Sequence, residues 1–162
     1  MRKFIKLVDQ SLGFSLICAM SAILLTVIWQ VISRFILKDP ASVTEELSRF
    51  ILIWVGILGS AYAYRKKSHL GFNLIVDRQT KATRRMLLTI VEVLVITFSA
   101  LALIVGGKEL VIITLDLDQI SASLGIRMGF IYTVLPISGA LFVFYSLINI
   151  YNLWIADPEE PL

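Results

Sequence analysis

Acidic residues lie in two stretches of this 162-residue chain that are otherwise apolar, and they are the first candidates for chemistry. Glu92 lies in LLTIVEVLVITF, about six residues into an apolar segment, at a depth of roughly 10 Å for a helical rise of 1.5 Å per residue. A membrane-embedded carboxylate is a candidate for proton coupling or ion binding. The alternative is structural, with Glu92 bonded to Ser, Thr or Tyr or paired with a basic residue, and we favour it because a lone carboxylate makes a poor ion site.

A second cluster of charges lies at the head of the stretch VTEELSRFILIWVG, where Glu45, Glu46 and Arg49 precede an apolar run. Glu45 and Arg49 are four residues apart, so a helix would place them on one face, where they can pair. Arg34 precedes this turn by a short connection and is the predicted partner of Glu46. These charges could instead be boundary residues that reach the lipid headgroups. We favour a cluster near the outer face that fixes the first two helices or docks a partner.

Composition shows what kind of chain carries these charges. Hydrophobic residues make up 57% of it and its mean hydropathy is +0.84, against roughly 45–50% apolar residues in a typical soluble domain. The single cysteine, Cys18, allows no disulfide within the chain, and the single histidine, His69, cannot supply two haem ligands. No phosphate loop, metal-ligand cluster or nucleophile with a base is present in the sequence. We therefore predict a membrane protein that is not an enzyme, has no cofactor and binds no nucleic acid.

Four apolar segments reach the roughly 17–25 residues that a membrane-spanning helix needs. The predicted fold is an all-α integral membrane protein of one domain, residues 1–162, with a cytoplasmic amphipathic segment at about 69–85 between the second and third helices. A solvated loop is the alternative for that segment. The predicted helices cover residues of about 12–37, 42–64, 86–117 and 128–155.

Ten of the fifteen Lys and Arg residues lie at the N-terminus or in the connection between the second and third helices. The positive-inside rule then places both termini and that connection in the cytoplasm. Four basic residues of the amphipathic segment are predicted to contact lipid headgroups: Arg78, Lys81, Arg84 and Arg85.

The second helix also carries small residues at a spacing of four, which lets helices approach closely in membranes. Gly56 is followed by Ser60, and Gly59 by Ala63. We predict that these four residues form a helix-packing face.

Three stretches together resemble a known family: QVISRF, EELSRFILIWVGILGSAYAYRKKSHLGF and SLGIRMGFIYTVLPISGA. They are similar to the small membrane subunit of tripartite ATP-independent periplasmic (TRAP) transporters, and the likeness spans most of the chain. The Glu-Glu-x-x-Arg start of helix two, Glu45 to Arg49, is its most specific part. Arg127 stands where the family pattern is expected to have proline, so no turn geometry is carried over to that position.

The resemblance implies a scaffold subunit of a sodium-driven transporter for organic acids such as C4-dicarboxylates or sialic acid. Its implied partners are a large membrane subunit, which would hold the sodium and the transport site, a periplasmic substrate-binding protein and the lipid bilayer. Its implied location is the bacterial inner membrane. The residues alone leave two alternatives. One is a self-sufficient, proton-coupled transporter that acts as a homo-oligomer through Glu92. The other is an electron-transfer anchor, which a single histidine disfavours because it cannot supply two haem ligands.

Overall fold

The computed structural model describes residues 2–39, 41–66 and 81–155. Within these ranges the regular elements are helices. Helix α1 covers Arg2–Ile32 and runs into a π-helical turn at Ser33–Leu37, and α2 covers Ser42–Arg65. Helix α3 covers Lys81–Phe98, a π-helical stretch covers Ser99–Gly106, and α4 covers Gly107–Asp116. The short α5 covers Met128–Tyr132, and α6 covers Val134–Ile155.

Four continuous helical stretches are long and apolar enough to cross a membrane, which confirms the predicted all-α membrane fold. They are Ile5–Leu37, Ser42–Arg65, Ala82–Asp116 and Met128–Ile155. Helices satisfy their backbone hydrogen bonds internally, which hydrocarbon requires because it contains no water to do so. The chain is therefore a multi-pass membrane protein.

The helix bounds differ from the sequence expectation mainly at the N-terminus. Helix α1 begins at Arg2, ten residues before the predicted start at Leu12. The residues in between include charges, which interrupt the apolar run that defined the predicted start. These charges do not interrupt the helix, because Arg and Lys are good helix formers and no proline or glycine intervenes. The amphipathic segment lies mostly outside the described residues, and its amphipathic character stays a prediction.

The described residues fall into two compact units along the chain. The first comprises Met1–Tyr62 with Leu110–Val134, and the second comprises Ala63–Glu109 with Leu135–Leu162. In the first unit Phe50, Ile131 and Val134 are buried, and in the second Tyr145 and Ile148 are buried. The single domain over 1–162 stays a prediction. Glu45 and Glu46 lie in the first unit and Glu92 lies in the second, so the two units are described separately below.

Candidate functional site

In the first unit, Glu46 binds the loop that precedes α5. Its carboxylate accepts three consecutive backbone N–H groups, from Ala122 at 3.2 Å, Ser123 at 2.8 Å and Leu124 at 2.9 Å. Successive N–H groups that converge in this way form an anion-binding concavity. Glu46 fills it from within the chain, so the carboxylate joins α2 to a loop 76 to 78 residues further along the chain.

The loop itself is folded tightly. Ser121 and Ile126 exchange hydrogen bonds, because the Ser121 N–H donates to the Ile126 carbonyl at 2.9 Å and the Ile126 N–H donates to the Ser121 hydroxyl at 3.3 Å. Gly125 has a φ of +66°, a left-handed conformation that glycine adopts without steric cost. Arg127 forms an ion pair with Asp118 at 3.5 Å across the base of the loop. The three N–H groups therefore belong to a defined turn.

The structure corrects the predicted partner of Glu46. Arg34 was expected to pair with it, but within the described ranges Glu46 accepts the three backbone amides and is also hydrogen-bonded by the Ser121 side chain. The Arg34 guanidinium instead lies 5.9 Å from the centre of the Phe35 ring, a cation–π distance. The π-helical turn at Ser33–Leu37 carries Arg34, and the sequence has no proline or glycine inside it that would reveal such a turn.

The expected contact between Glu45 and Arg49 is present. The Arg49 guanidinium donates to the Glu45 carboxylate at 3.1 Å, as i,i+4 neighbours on a helix can. The two side chains are 66% and 64% exposed, so the pair lies at the surface of the chain. A surface pair of this kind contributes at most about 1 kcal/mol to stability, which leaves both charges available to a partner. Its predicted role at an interface stays a prediction.

A polar network that the sequence analysis missed joins α1 to α2. The Gln30 amide donates to the Thr44 carbonyl at 3.0 Å and to the Ser48 hydroxyl at 2.7 Å, and that hydroxyl lies 2.8 Å from Thr26 Oγ1. Gln30, Thr26 and Ser48 are isolated polar residues in apolar runs. This isolation is the sequence feature that could have predicted the network. Such side chains hydrogen-bond between helices in membranes because lipid offers them no other partner.

In the second unit, Glu92 is surrounded by neutral hydrogen-bond donors. The Tyr64 and Ser146 hydroxyls contact one carboxylate oxygen, and the Asn149 amide donates to the other at 3.0 Å. The Ser146 side chain is fully buried. These partners lie on α2 and α6, so the Glu92 carboxylate links three helices. A Ser, Thr or Tyr partner for Glu92 was predicted from the sequence. The sequence does not identify which residues these are, because the partners lie 28, 54 and 57 positions away.

The four small residues of the predicted packing face are unevenly packed within the chain. Gly56 and Ser60 are exposed, no atom lies within 4 Å of where a Gly56 Cβ would be, and the Ser60 hydroxyl donates to the Ile57 carbonyl. Gly59 has the Leu16 side chain at 4.0 Å, and Ala63 is half-buried. Gly56 and Ser60 are thus free to pack against another chain, which stays a prediction.

The close helix packing occurs at glycines that the sequence analysis did not select. A Cβ on Gly107 would lie 2.8 Å from Leu135 Cβ, and one on Gly139 would lie 2.8 Å from Leu103 Cβ. Neither glycine has a small residue four positions away, which is the spacing that predicted the packing face. Pro136 also lies against Gly107, since a Cβ on that glycine would lie 3.1 Å from Pro136 Cδ.

The predicted headgroup contacts are only partly within the described residues. Arg78 and the lone His69 lie outside them. Lys81, Arg84 and Arg85 open α3, where Arg84 is exposed and Arg85 is half-buried. Among the residues that the structure describes, no three His, Cys, Asp or Glu side chains come together as a metal site would require.

Comparison with known proteins assigns this arrangement to a family. The family described as "Tripartite ATP-independent periplasmic transporters, DctQ component" matches residues 23–156. The chain is 29% identical to the sialic acid TRAP transporter small permease protein SiaQ of Vibrio cholerae, over 94% of this chain and 85% of that protein.

Two longer permease proteins also match over most of this chain. The sialic acid TRAP transporter permease protein SiaT of Haemophilus influenzae is 27% identical over 88% of the chain, which spans 22% of that protein. The isethionate TRAP transporter permease protein DctMQ of Oleidesulfovibrio alaskensis is 30% identical over 78% of the chain, which spans 21% of that protein. The chain belongs to the DctQ family of TRAP transporters, as a small membrane subunit of a transport system and not as an enzyme.

Proposed function

We propose that this chain is the scaffold subunit of a sodium-driven TRAP transporter for organic acids, of the sialic acid or C4-dicarboxylate type, and that it stabilises and anchors a large transport subunit. The observation that carries the proposal is that both acidic candidates are occupied from within the chain. Glu46 accepts three backbone amides, and Glu92 is contacted by three neutral side chains. A coupling site must exchange a proton or an ion with water in each cycle, whereas these carboxylates are arranged to hold helices and a loop together.

The proposed partner is a large TRAP membrane subunit. Support comes from the two longer permease proteins, each of which contains a segment similar to this chain within a protein about four times as long. The exposed Gly56, Ser60, Glu45 and Arg49 are surfaces where such a subunit could bind. Sodium would bind at the large subunit.

The proposed substrate class is an organic anion. The relatives carry the names of sialic acid and isethionate transporters, and both compounds are organic acids. A periplasmic substrate-binding protein would deliver the anion. The chain would lie in the bacterial inner membrane with both termini in the cytoplasm, which places the Glu46 loop on the periplasmic side.

Co-purification and uptake together test the scaffold proposal. The tagged chain, extracted in mild detergent, should retain a larger polytopic membrane protein that mass spectrometry identifies. Vesicles with this chain alone should show no uptake of a radiolabelled organic acid, and vesicles with both subunits, a sodium gradient and the binding protein should show it. Uptake by the chain alone would overturn the proposal.

A second candidate function follows from the position of Glu92 within the third membrane span. If the chain were a self-sufficient, proton-coupled homo-oligomer, Glu92→Gln would abolish proton-driven uptake by the purified chain. If Glu92 is structural, the same variant in the two-subunit complex should keep most of its uptake. The glutamine oxygen can still accept from Tyr64 and Ser146, and its NH2 group can donate to Asn149 once that amide turns over. The two functions therefore predict opposite results for one substitution.

A further inference from the structure

An open groove in the second unit begins near the start of α3 and continues beside Trp154 of α6. Its lining comprises Ala82, Arg85, Met86, Thr89, Ile90, Val93, Leu94 and Trp154, and its volume is about 600 Å³. Ligand sites in proteins typically have about 300–1,000 Å³. The large apolar side chains along it are between 45% and 66% exposed, so the groove is accessible from the side of the helix.

Two polar side chains of the groove, those of Trp154 and Thr89, are hydrogen-bonded within the chain. The Trp154 indole N–H donates to Thr89 Oγ1 at 3.2 Å, and the Thr89 hydroxyl donates to the Arg85 carbonyl at 2.8 Å. No side-chain polar atom buried in the described part of the chain lacks a partner. Beyond Arg85, the lining that the structure describes is mostly apolar, so this part of the groove offers hydrocarbon to a ligand.

One end of the groove is charged. Arg85 lines that end and is half-buried. Glu92, the nearest acidic residue of α3, does not line the groove, because its carboxylate is held by Tyr64, Ser146 and Asn149. Among the residues that the structure describes, Arg85 is the charged member of the lining, and an apolar channel lies beyond it.

The length of the groove matches one leaflet of a bilayer. From Arg85 to Leu94 the helix rises nine residues, or about 14 Å at 1.5 Å per residue. The hydrocarbon core of a membrane is about 30 Å thick, so one leaflet contributes about 15 Å. A ligand with an anionic head at Arg85 and an alkyl chain that ends near Leu94 fits this geometry.

We propose that the groove binds one acyl chain of an anionic phospholipid, with the headgroup phosphate on Arg85. The site selects an anionic lipid over a zwitterionic one through Arg85, while Met86, Ile90 and Val93 contact the chain. The indole of Trp154, fixed by Thr89, forms the opposite wall. This site is independent of the transported substrate and of the scaffold role, since either could fail without affecting lipid binding.

Quenching of Trp154 fluorescence by brominated lipids tests this site. The full-length chain with Trp29→Phe and Trp54→Phe, which leaves Trp154 as the reporter, is reconstituted into phosphatidylcholine vesicles. Brominated phosphatidylglycerol or brominated phosphatidylcholine is then added at equal mole fractions. We expect half-maximal quenching at about fivefold lower mole fraction for phosphatidylglycerol, the preference that corresponds to about 1 kcal/mol for one basic residue near anionic headgroups.

Two variants of neighbouring arginines separate a site from general surface attraction. Arg85→Gln should abolish the preference, so that the two lipids reach half-maximal quenching at about the same mole fraction. Quenching by phosphatidylcholine should stay unchanged. Arg84→Gln is the matched control, because Arg84 is exposed and does not line the groove, and it should keep most of the preference. A third variant, Val93→Phe, should lower quenching by both lipids because it fills the groove, and it keeps the test valid if Arg85→Gln does not fold.

Three results would overturn the proposal. Equal quenching by the two lipids in the parent chain would remove the headgroup selectivity. Equal losses for Arg84→Gln and Arg85→Gln would assign the preference to the basic surface as a whole. Loss of quenching when the large subunit is reconstituted with the chain would show that protein covers the groove.

Discussion

Glu46 and Glu45 are adjacent in the sequence, yet their environments differ. Glu46 accepts hydrogen bonds from a loop far along the chain, whereas Glu45 pairs with Arg49 one turn away. The Glu45–Arg49 contact could be predicted because helical spacing alone brings i and i+4 together. The partners of Glu46 could not, because backbone amides carry no sequence signature and the turn that presents them is set by tertiary folding.

Replacement of Glu46 should loosen the loop at residues 117–127. Hydrogen bonds to a charged acceptor are roughly twice as strong as neutral ones, so Glu46→Gln should leave the amides of Ala122, Ser123 and Leu124 more weakly held. Hydrogen exchange followed by mass spectrometry should show several-fold faster exchange in the peptide that contains them. Glu45→Gln is the matched control and should leave that peptide unchanged. Equal protection in the wild type and Glu46→Gln would contradict the anchoring role.

Charge reversal at Arg49 tests whether the exposed pair meets a partner. Arg49→Glu places two negative charges four residues apart, which destabilises an isolated helix by only about 0.2–0.5 kcal/mol. The chain should therefore fold, but recovery of the complex with the large subunit, or its uptake, should fall. The recovered amount is measured by quantitative co-purification.

The swapped double variant Glu45→Arg with Arg49→Glu serves as the control for charge reversal. It restores the pair within the chain but presents the opposite charges to a partner. If the pair acts only within α2, the swap should recover the complex fully. If Arg49 contacts the large subunit, the swap should remain defective. Wild-type recovery and uptake by Arg49→Glu itself would show that the interface role is wrong.

At the scale of the elements, hydropathy predicted the spans but not the internal irregularities. The start of α2 at Ser42 agrees with the predicted start at about residue 42. The π-helical stretch at Ser99–Gly106 was not predicted, because its residues are mostly good apolar helix formers. This π-helical stretch packs closely on α6, because its Leu103 and Ile104 lie against Gly139.

A methyl group at Gly139 should disturb this contact. A Cβ there would lie 2.8 Å from Leu103 Cβ and 3.2 Å from the Ile104 backbone nitrogen, and neither atom can rotate away. Overpacking costs about 1–3 kcal/mol, against a helix-propensity gain of up to about 1 kcal/mol for alanine over glycine. Gly139→Ala should therefore lower the melting temperature in detergent by a few degrees, at about 2–4 °C per kcal/mol.

Gly56→Ala is the matched control for that measurement. No atom lies within 4 Å of a Cβ at Gly56, so the isolated chain should be unchanged or slightly stabilised. If Gly139→Ala is as stable as Gly56→Ala, the close contact between α6 and the π-helical stretch does not limit stability. If Gly56→Ala is harmless in the isolated chain but weakens the complex, the predicted packing face is used between subunits.

At the scale of the whole molecule, the distribution of charge determines how the chain should lie in the membrane. An even number of spans would place both termini on the same side, and ten of fifteen basic residues lie at the N-terminus or between the second and third spans. Hydropathy and this bias together could be read from the sequence alone. The polar contacts at Glu46 and Glu92 could not, because they join residues 28 to 78 positions apart.

The predicted orientation is open to a labelling experiment with single cysteines. In a Cys18→Ser background, Ser123→Cys lies on the Glu46 loop and Lys66→Cys follows α2, and both positions are exposed. Translocation of basic residues is disfavoured, so Lys66 should stay in the cytoplasm and Ser123 should face the periplasm. A membrane-impermeant maleimide should then label Ser123→Cys in intact cells, and Lys66→Cys only after permeabilisation. A permeant maleimide should label both cysteines, which controls for their reactivity. The reverse pattern with the impermeant reagent would show that the proposed orientation is wrong. The Glu46 loop would then face the cytoplasm, away from any periplasmic binding protein.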